Sequence, residues 1–436
     1  MKTRNKRGGV LVTAVVLSTG VALALGTFVS ICVQTSRLSN ASFNANSALN
    51  IAEAGLEEAM IAVNHGDWSG WSAFKGNGSN LTKVLPTFDL GSGMTGVAQV
   101  VVFGPHTSDT PRIVAQGHVN GPLGSSVTKQ VEVQLHRSSL FPDGPQGREL
   151  VSFSGGNAMI DSFDSDSETY STGGQYDPLK RKDGGQIASL RVLSTSDGVA
   201  LGNAKIWGYV FTRGADIDVG PNGEIRGANT PDGVKIDTSR MTKDYPAREL
   251  RLKDVPTGLT PAGNITTTTT LASGDYELGH ITLNNSSEVL TITGDVTMVV
   301  RGEVNVKGAV IISPGSSLVM HVYGDVDVGG TGLVNATNIA ANAQIYGFNP
   351  TDGAQTIKLH GNGTLVAAVY APNANIELKG GGNSGTMVGT FSGYNVKITG
   401  NYELHYDEAL KRLTDGQPFS VGRWMELTSA GSRIAF

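Results

Sequence analysis

Two stretches of the sequence match at a constant offset of 22: VTMVVRGEVNVKG, residues 296–308, and LVMHVYGDVDVGG, residues 318–330. Apolar residues align with apolar residues, Gly302 aligns with Gly324, and an acidic residue follows each of these glycines. Short β-branched segments between Gly and Asn turns leave no room for a helix in a repeat of this length. The repeat predicts strands that stack coil on coil, because one coil cannot bury its inward Val and Leu side chains alone.

Weaker copies of this pattern occur further along the chain. Residues 365–370 resemble residues 318–323, and residues 386–391 follow residues 365–370 at an offset of 21. We therefore predict a mainly β protein in which residues 141–410 form a β-solenoid.

The ends of a solenoid need caps, and one is predicted near its C-terminus. Residues 401–410, NYELHYDEAL, leave the strand pattern for a short helix and carry aromatic side chains that could cover the last coil. Residues 411–436 are predicted to be a C-terminal tail.

The composition favours turn-rich β structure and argues against nucleic-acid binding. The 436 residues include 58 Gly and 16 Pro, and only 16% of them are charged, against about 25% in an average soluble protein. The net charge is −5, and the body of the chain has no long basic run, so no nucleic-acid partner is expected. Cys32 is the single cysteine, which excludes an intrachain disulfide.

The N-terminus predicts a membrane segment behind a basic leader. Residues 1–9 carry four basic side chains, and residues 10–33 contain no charge. As a helix rising about 1.5 Å per residue, that run spans roughly 36 Å, enough to cross a bilayer. The position of the basic cluster predicts a cytoplasmic N-terminus and an extracytoplasmic remainder. A cleaved signal peptide is the alternative, although its apolar region is usually only about 7 to 15 residues long.

The helical pattern continues beyond the membrane run. Leu49, Ala52, Leu56 and Ala59 recur at helical spacing among glutamates, so we predict one continuous helix over residues 10–64. A small β subdomain is predicted over residues 65–140. It begins as a loop and continues as three antiparallel strands with alternating β-branched residues, at residues 98–103, 112–119 and 127–135.

This N-terminal region resembles the PilX type of type IV pilin-like proteins. The resemblance is carried by the basic leader, Gly8-Gly9, the long apolar helix and the sequence NIAEAGLE at residues 50–57. It implies that a prepilin peptidase cuts after Gly8 or Gly9, and that the helix assembles with other pilin-like subunits. Major pilins carry a glutamate at the fifth mature residue, where this chain has Thr13 or Ala14. The resemblance therefore points to an accessory subunit.

The β-rich body is similar to the β-helical domain that often follows PilX-like N-termini, and distantly to the polymer-forming bactofilins. The similarity rests on DSFDS at residues 161–165, YAPNA at residues 370–374 and HYDE at residues 405–408. It implies a structural role, as a minor component of a type IV pilus or a secretion pseudopilus. A carbohydrate-active β-helix enzyme and a self-associating bactofilin-like scaffold are the alternatives.

Two groups of acidic residues are candidates for chemistry. The first offers four carboxylates within eight residues of a Ser-rich segment, a donor set that suits calcium or a hydrogen-bonded turn: Asp161, Asp164, Asp166 and Glu168. The second lies near two arginines and would matter in a polysaccharide-cleaving enzyme: Asp216, Asp218 and Glu224, with Arg213 and Arg226. Alternating charges are also what the solvated face of any solenoid shows.

The remaining motifs carry little chemistry. The glycine-rich residues 380–385 precede a strand-like segment instead of the helix that a dinucleotide site needs. His405, beside Asp407 and Glu408, fits a cap better than an acid or base, and His321 occupies the place of Val299 in the preceding coil. We therefore expect no enzyme activity, no cofactor, no metal site and no catalytic residue. Gly8 and Gly9, at the processing site, are the only site residues predicted.

Overall fold

The computed structural model describes residues 7–436, except residues 107, 109, 122–125, 138, 157, 194, 249, 362–363, 381–384, 414–417 and 430. The protein is mainly β, with one long N-terminal helix. It has two compact units. The first unit is Met1–Ser138 with Pro418–Phe436, and the second unit is Ser139–Gln417.

The main elements of the described chain are an α-helix and a long succession of strands. In chain order they are α1 (Arg7–His65), β1 (Ser72–Phe74), β2 (Asn77–Val84), β3 (Phe88–Gly91), β4 (Met94–Phe103), β5 (Arg112–Asn120), β6 (Ser126–Arg137), β7 (Gln146–Ser154), β8 (Met159–Phe163), β9 (Gly185–Ser189), β10 (Asp197–Ala200), β11 (Lys205–Thr212), β12 (Asp216–Asp218), β13 (Glu224–Arg226), β14 (Met241–Thr242), β15 (Thr260–Ile265), β16 (Thr269–Leu271), β17 (Gly274–Leu283), β18 (Val289–Ile292), β19 (Asp295–Val300), β20 (Val304–Val306), β21 (Ala309–Ile312), β22 (Ser317–Val322), β23 (Val326–Val328), β24 (Gly332–Asn335), β25 (Ala343–Gly347), β26 (Gln355–Gly361), β27 (Leu365–Gly380), β28 (Gly385–Thr399), β29 (Tyr402–Asp407) and β30 (Phe419–Glu426).

Helix α1 is continuous over 59 residues but has two different environments. Residues 11–43 are exposed on every side, and the apolar run within them, which ends at Val33, is long and apolar enough to span a membrane. From residue 44 onward one face of the helix is buried, including Ala52 and Leu56, which pack on the first-unit sheet. A side chain at Gly117 of β5 would put its Cβ 1.9 Å from the carbonyl oxygen of Ala48, so glycine permits this close approach. The predicted continuous helix is confirmed.

The sheet of the first unit is antiparallel. Strands β4, β5 and β6 pair in sequence order, which confirms the three predicted strands. The segment between α1 and β4, predicted to begin as a loop, contributes three more strands, β1 to β3. Strand β30 pairs antiparallel with β6, with Phe419 opposite Arg137. The predicted C-terminal tail is therefore corrected: part of it completes this sheet, and the second unit is inserted in the chain between two adjacent strands.

In the second unit, strands stack in parallel and in register. Val296 is paired with Leu318, and Val304 with Val326, so the offset of 22 is confirmed. The inward side chains of these strands form one continuous apolar core. Further along, Leu365 is paired with Met387. The offset there is also 22, which corrects the value of 21.

The strands of this stack form two series along the chain, and the two series meet in the middle of the stack. The first series is β7–β14 and the second series is β15–β28. Strand β28 pairs in parallel with β7, and β29 pairs with both β28 and β8. We call the contact of β28 and β29 with β7 and β8 the junction. The prediction of a cap at residues 401–410 is corrected here, because Tyr402–Asp407 is a strand inside the stack.

A connecting segment, described at residues 243–248 and 250–259, leads from the end of the first series to the start of the second and crosses the outer face of the stack. We call it the strap. Its Leu250 is buried in a second apolar cluster. Its Arg251 carbonyl accepts a hydrogen bond of 2.8 Å from the Tyr370 hydroxyl, and the ammonium of Lys253 lies 4.6 Å from the centre of the Tyr346 ring. The free ends of the stack are therefore formed by residues from the middle of the chain.

Candidate functional site

The junction contains the most deeply buried ionisable residues that the sequence had singled out. Parallel pairing of β8 with β29 sets Asp161 opposite His405, and flanking Ile160 and Leu404 point into the apolar core. Asp161 is 0% exposed and His405 is 1% exposed. Two polar side chains separated by 244 residues in sequence thus meet on the outer face of the stack.

Tyr176 closes this pair off from solvent. His405 Nδ1 donates to Asp161 Oδ1 at 2.6 Å, and the Tyr176 hydroxyl donates to Asp161 Oδ2 at 2.7 Å. The Tyr176 ring is stacked on the imidazole with 3.4 Å between ring centres. Burial, together with the neighbouring Asp161 carboxylate, raises the pKa of Tyr176. The phenol therefore stays protonated and remains a donor.

A second polar group surrounds Glu408, just after β29. Its carboxylate accepts hydrogen bonds from Ser162 Oγ at 2.8 Å and from Lys182 Nζ at 2.6 Å. A Cβ at Gly184 would lie 2.3 Å from Glu408 Oε1, so glycine leaves the carboxylate room. The ammonium of Lys182 also lies 4.8 Å from the centre of the Tyr170 ring. The loop between β8 and β9 is thereby tied to the segment that follows β29.

Arg412 binds carboxylates of the acidic segment that was the calcium candidate in the sequence. It donates to Asp164 Oδ1 at 2.5 Å and to Asp166 Oδ2 at 3.0 Å. Burial opposes ionisation of Asp164, but the hydrogen bond and charge of Arg412 outweigh it, and the pKa of Asp164 is lowered. In the described part of the chain, no three His, Cys, Asp or Glu side chains are grouped to hold a metal ion. Of the four candidates, Asp161 binds His405 and Tyr176, while Lys180 binds the Glu168 backbone carbonyl.

Asp407 has a different environment from its neighbours. It caps the short 3-10 helix Glu408–Arg412, accepting the Ala409 amide, and it also accepts the Ser165 amide at 3.0 Å. Burial nevertheless raises the pKa of Asp407. The predicted short helix exists in this form, after the strand, and its cap residue links it to the loop that follows β8.

The second acidic group is divided among surface ion pairs. Asp216 binds Lys243, and Glu224 lies 3.5 Å from Lys205. Asp218 is exposed at the end of β12. These carboxylates do not meet at a common centre in the described structure.

The other predicted positions fall in three places. Gly8 and Gly9 lie at the start of α1, whereas leader residues 1–6 are outside the described residues. Residues 381–384 of the glycine-rich motif are also outside them, and the segment that follows is strand β28. His321 is a buried strand residue paired with Val299, as its place in the repeat predicted. Burial and the charge of Lys253 lower the pKa of His321 to about 4.

The hydrogen bond between Asp161 and His405 resembles the acid–histidine part of a catalytic triad, but the surroundings of the pair do not suit catalysis. His405 Nε2 faces Glu403 Oε2 at 3.9 Å, and Tyr176 covers the ring. A triad needs a nucleophile within hydrogen-bond reach of that nitrogen and space for a substrate. The arrangement instead forms a buried hydrogen-bond network. Such a network favours one pairing of strands over others.

Sequence comparison supplies one match. A family model described as "Domain of unknown function (DUF7305)" matches residues 251–413. No curated protein matches the chain, and no solved structure does. The matched range takes in the second series, β29 and Arg412, and it excludes Asp161 and Tyr176. The junction therefore joins the part of the chain that resembles this family to a part that the match does not cover.

Proposed function

We propose that this chain is a membrane-anchored structural subunit, a PilX-like accessory component of a type IV pilus or a related secretion pseudopilus. The observation that carries the proposal is that the two halves of α1 have different environments. One uninterrupted helix is exposed over residues 11–43, with an uncharged apolar run to Val33, and then packs on an antiparallel sheet from residue 44 onward. A helical run with apolar residues all around requires a lipid or protein environment outside its own chain.

In this proposal the exposed half of α1 lies in the cytoplasmic membrane until assembly and then packs against other pilin-like subunits. The basic leader keeps the N-terminus cytoplasmic, so both compact units lie on the extracytoplasmic side. Helix contacts in such a setting depend on small residues that let backbones approach closely. The apolar run supplies them at Ala14, Ser18, Gly20, Ala22 and Gly26.

The second unit is then a β-solenoid displayed as cargo. Parallel pairing at an offset of 22, with inward rows of Val and Leu, supports this interpretation. Both free ends are unsuited to stacking on another copy. At one end β15 contains Pro261, which lacks a backbone donor, and is mostly exposed. At the other end residues 227–240 fold beside β13, where the guanidinium of buried Arg240 binds Asp183 at 2.7 Å. These features favour a displayed body over a bactofilin-like polymer.

A structural role also fits the state of the acidic residues. Asp161, Asp164 and Glu408 each bind a partner within the fold. A carbohydrate-cleaving site needs a pair of carboxyl groups flanking an open cleft, one to protonate the leaving group and one to act as base or nucleophile. The junction carboxylates are instead buried or neutralised by Lys182 and Arg412.

The test is the mass of the native N-terminus together with the proteins that co-purify from membranes. We expect a mature chain that begins at Gly9 or Val10, and pilus or pseudopilus proteins among its partners. Replacing both leader glycines, Gly8→Leu with Gly9→Leu, should leave the leader attached, whereas Gly20→Leu within the helix is the matched control and should be processed normally. An intact Met1, or a start beyond Cys32, would overturn the proposal.

A further inference from the structure

An apolar groove lies beside the second half of α1 in the first unit. It has a volume of about 520 Å³ and is bounded by α1, β6 and β30. Buried Leu56 and Val133 form its floor. Three side chains on its walls are left open to solvent: Ile61 is 57% exposed, Val421 49% and Trp424 46%.

Two carboxylates stand on the helix side of this groove. Glu53 and Glu57 are one turn apart, and both line the groove from exposed positions. Neither is among the ion pairs of the described residues, whereas Glu58, on another face of the same turn, binds Lys83 at 2.5 Å. An occupant that complements this surface is apolar and carries a positive charge next to its apolar side chain.

The exposed half of α1 in another copy has this chemistry. Arg37 is the one basic residue between positions 10 and 64 of the sequence, and the neighbouring Leu38 is 72% exposed. Both side chains project from a helix segment that has no covering partner among the described residues of its own unit. Apolar contact through Leu38 and charge pairing through Arg37 would therefore satisfy both properties of the groove.

The continuity of α1 fixes the stagger of such a contact. Arg37 precedes Glu53 by sixteen positions and Glu57 by twenty in one uninterrupted helix. At about 1.5 Å per residue this separation is roughly 24 to 30 Å. Two parallel copies displaced by that distance along the helix axis would set Arg37 of one copy beside both glutamates of the other.

We propose that this groove receives residues around Arg37 and Leu38 of α1 from a second copy of the chain, in parallel and displaced by that stagger. The parallel orientation rests on the proposed function, because both copies then enter the membrane in the same direction. The contact is heterologous, since the groove and the inserted helix are different surfaces, and such contacts can propagate along an axis.

Disulfide cross-linking of the full chain in intact cells, which hold assembled as well as membrane-inserted copies, tests this contact. In a Cys32→Ser background, Ser42→Cys, one turn after Leu38 and exposed, is combined with Ile61→Cys. On one continuous helix these two positions lie roughly 28 Å apart, which matches the stagger, so any disulfide between them joins two copies. The matched control combines Ser42→Cys with Val84→Cys, which at 58% is about as exposed as Ile61 but lies outside the groove.

We expect a disulfide-linked dimer from the groove pair and little from the control pair. Arg37→Glu should lower the dimer yield about fivefold, and adding Glu53→Lys with Glu57→Lys should restore it. Equal yields from both pairs, or a yield unchanged by Arg37→Glu, would overturn the groove contact. No dimer while pilus proteins still co-purify would overturn this contact alone. A selective dimer with an intact Met1 and no pilus proteins would support the contact and overturn the pilus assignment.

Discussion

The second series and the junction use the same parallel strand pairing, but different side chains hold them together. In the second series the paired positions are apolar on the inward face, as at Val304 and Val326, each 1% exposed. At the junction the pairing of β8 with β29 also brings together Asp161 and His405, a buried hydrogen-bonded pair. A repeating apolar row gives stability without selecting one neighbour, whereas a polar pair is satisfied by only one arrangement.

This difference explains why the junction has residues that look catalytic. The two series must meet at one register, and the paired residues Asp161 and His405 are 244 residues apart in sequence. A misaligned junction would leave Asp161 buried without His405, which is costly. The polar network thus selects against incorrect pairing of the two series.

The largest effect is expected inside the second series. Val304→Asp should lower the free energy of unfolding by several kcal/mol, because it places an unpaired carboxylate in the apolar core. Thr282→Asp is the matched control: it introduces the same charge at an outward position of β17, opposite the neutral Asn305, and should change stability by less than about 0.5 kcal/mol. Denaturant unfolding of the two variants measures the difference. Similar midpoints would show that the inward register is incorrect.

A slightly smaller effect is expected at the junction. His405→Leu should lower the free energy of unfolding by about 3 kcal/mol, since it leaves the Asp161 carboxylate buried with only Tyr176 as a side-chain donor. The double variant His405→Leu with Asp161→Leu removes that carboxylate and should recover part of the loss. Denaturant unfolding checks both variants. Additive losses in the double variant would argue against a coupled buried pair.

The third prediction concerns how the stability of the second series depends on pH. His321 belongs to the second series, and its folded pKa of about 4 lies below the ordinary value of 6.5. The unfolded chain therefore takes up a proton more readily, and stability is lost as the pH falls from about 6.5 toward 4. Between pH 7 and pH 5 the native chain should lose about 2 kcal/mol more than His321→Phe does. Equal pH dependence in the two proteins would contradict a buried neutral His321.

The smallest effect is expected at the edge of the junction. Arg412 is half exposed, so Arg412→Gln should cost about 1 kcal/mol or less, although it binds both Asp164 and Asp166. The loss should shrink further in high salt. Thermal unfolding in low and high salt measures it. A loss as large as that of His405→Leu would mean that the polar surface, and not the buried pair, holds the junction together.

The regular parts of the fold could be predicted from sequence because their signals are local or repeat at a fixed spacing. The match of residues 296–308 to residues 318–330 gave the register of the second series. The apolar run and the spacing of Leu49, Ala52 and Leu56 gave the long helix.

The junction could not be predicted in the same way. Nothing near Asp161 indicates that its partner is His405, and Tyr176 lies in a loop without a repeat to align it. Strand β30 was missed for the same reason, since its partner β6 is separated from it by the whole second unit. The cap was misplaced because aromatic residues before a short helix suit both a terminal cap and an internal strand, and only long-range pairing distinguishes them.

The central claim is that assembly belongs to the exposed half of α1 and that the strand stack is closed cargo. Sedimentation velocity of residues 44–436, which lack the whole exposed half of α1 including Arg37 and Leu38, tests it most directly. We expect a soluble monomer, because Pro261 disrupts one end of the stack and residues 227–240 fold beside the strand at the other. Filaments or a concentration-dependent series of oligomers from this fragment would contradict it and would favour a self-associating scaffold.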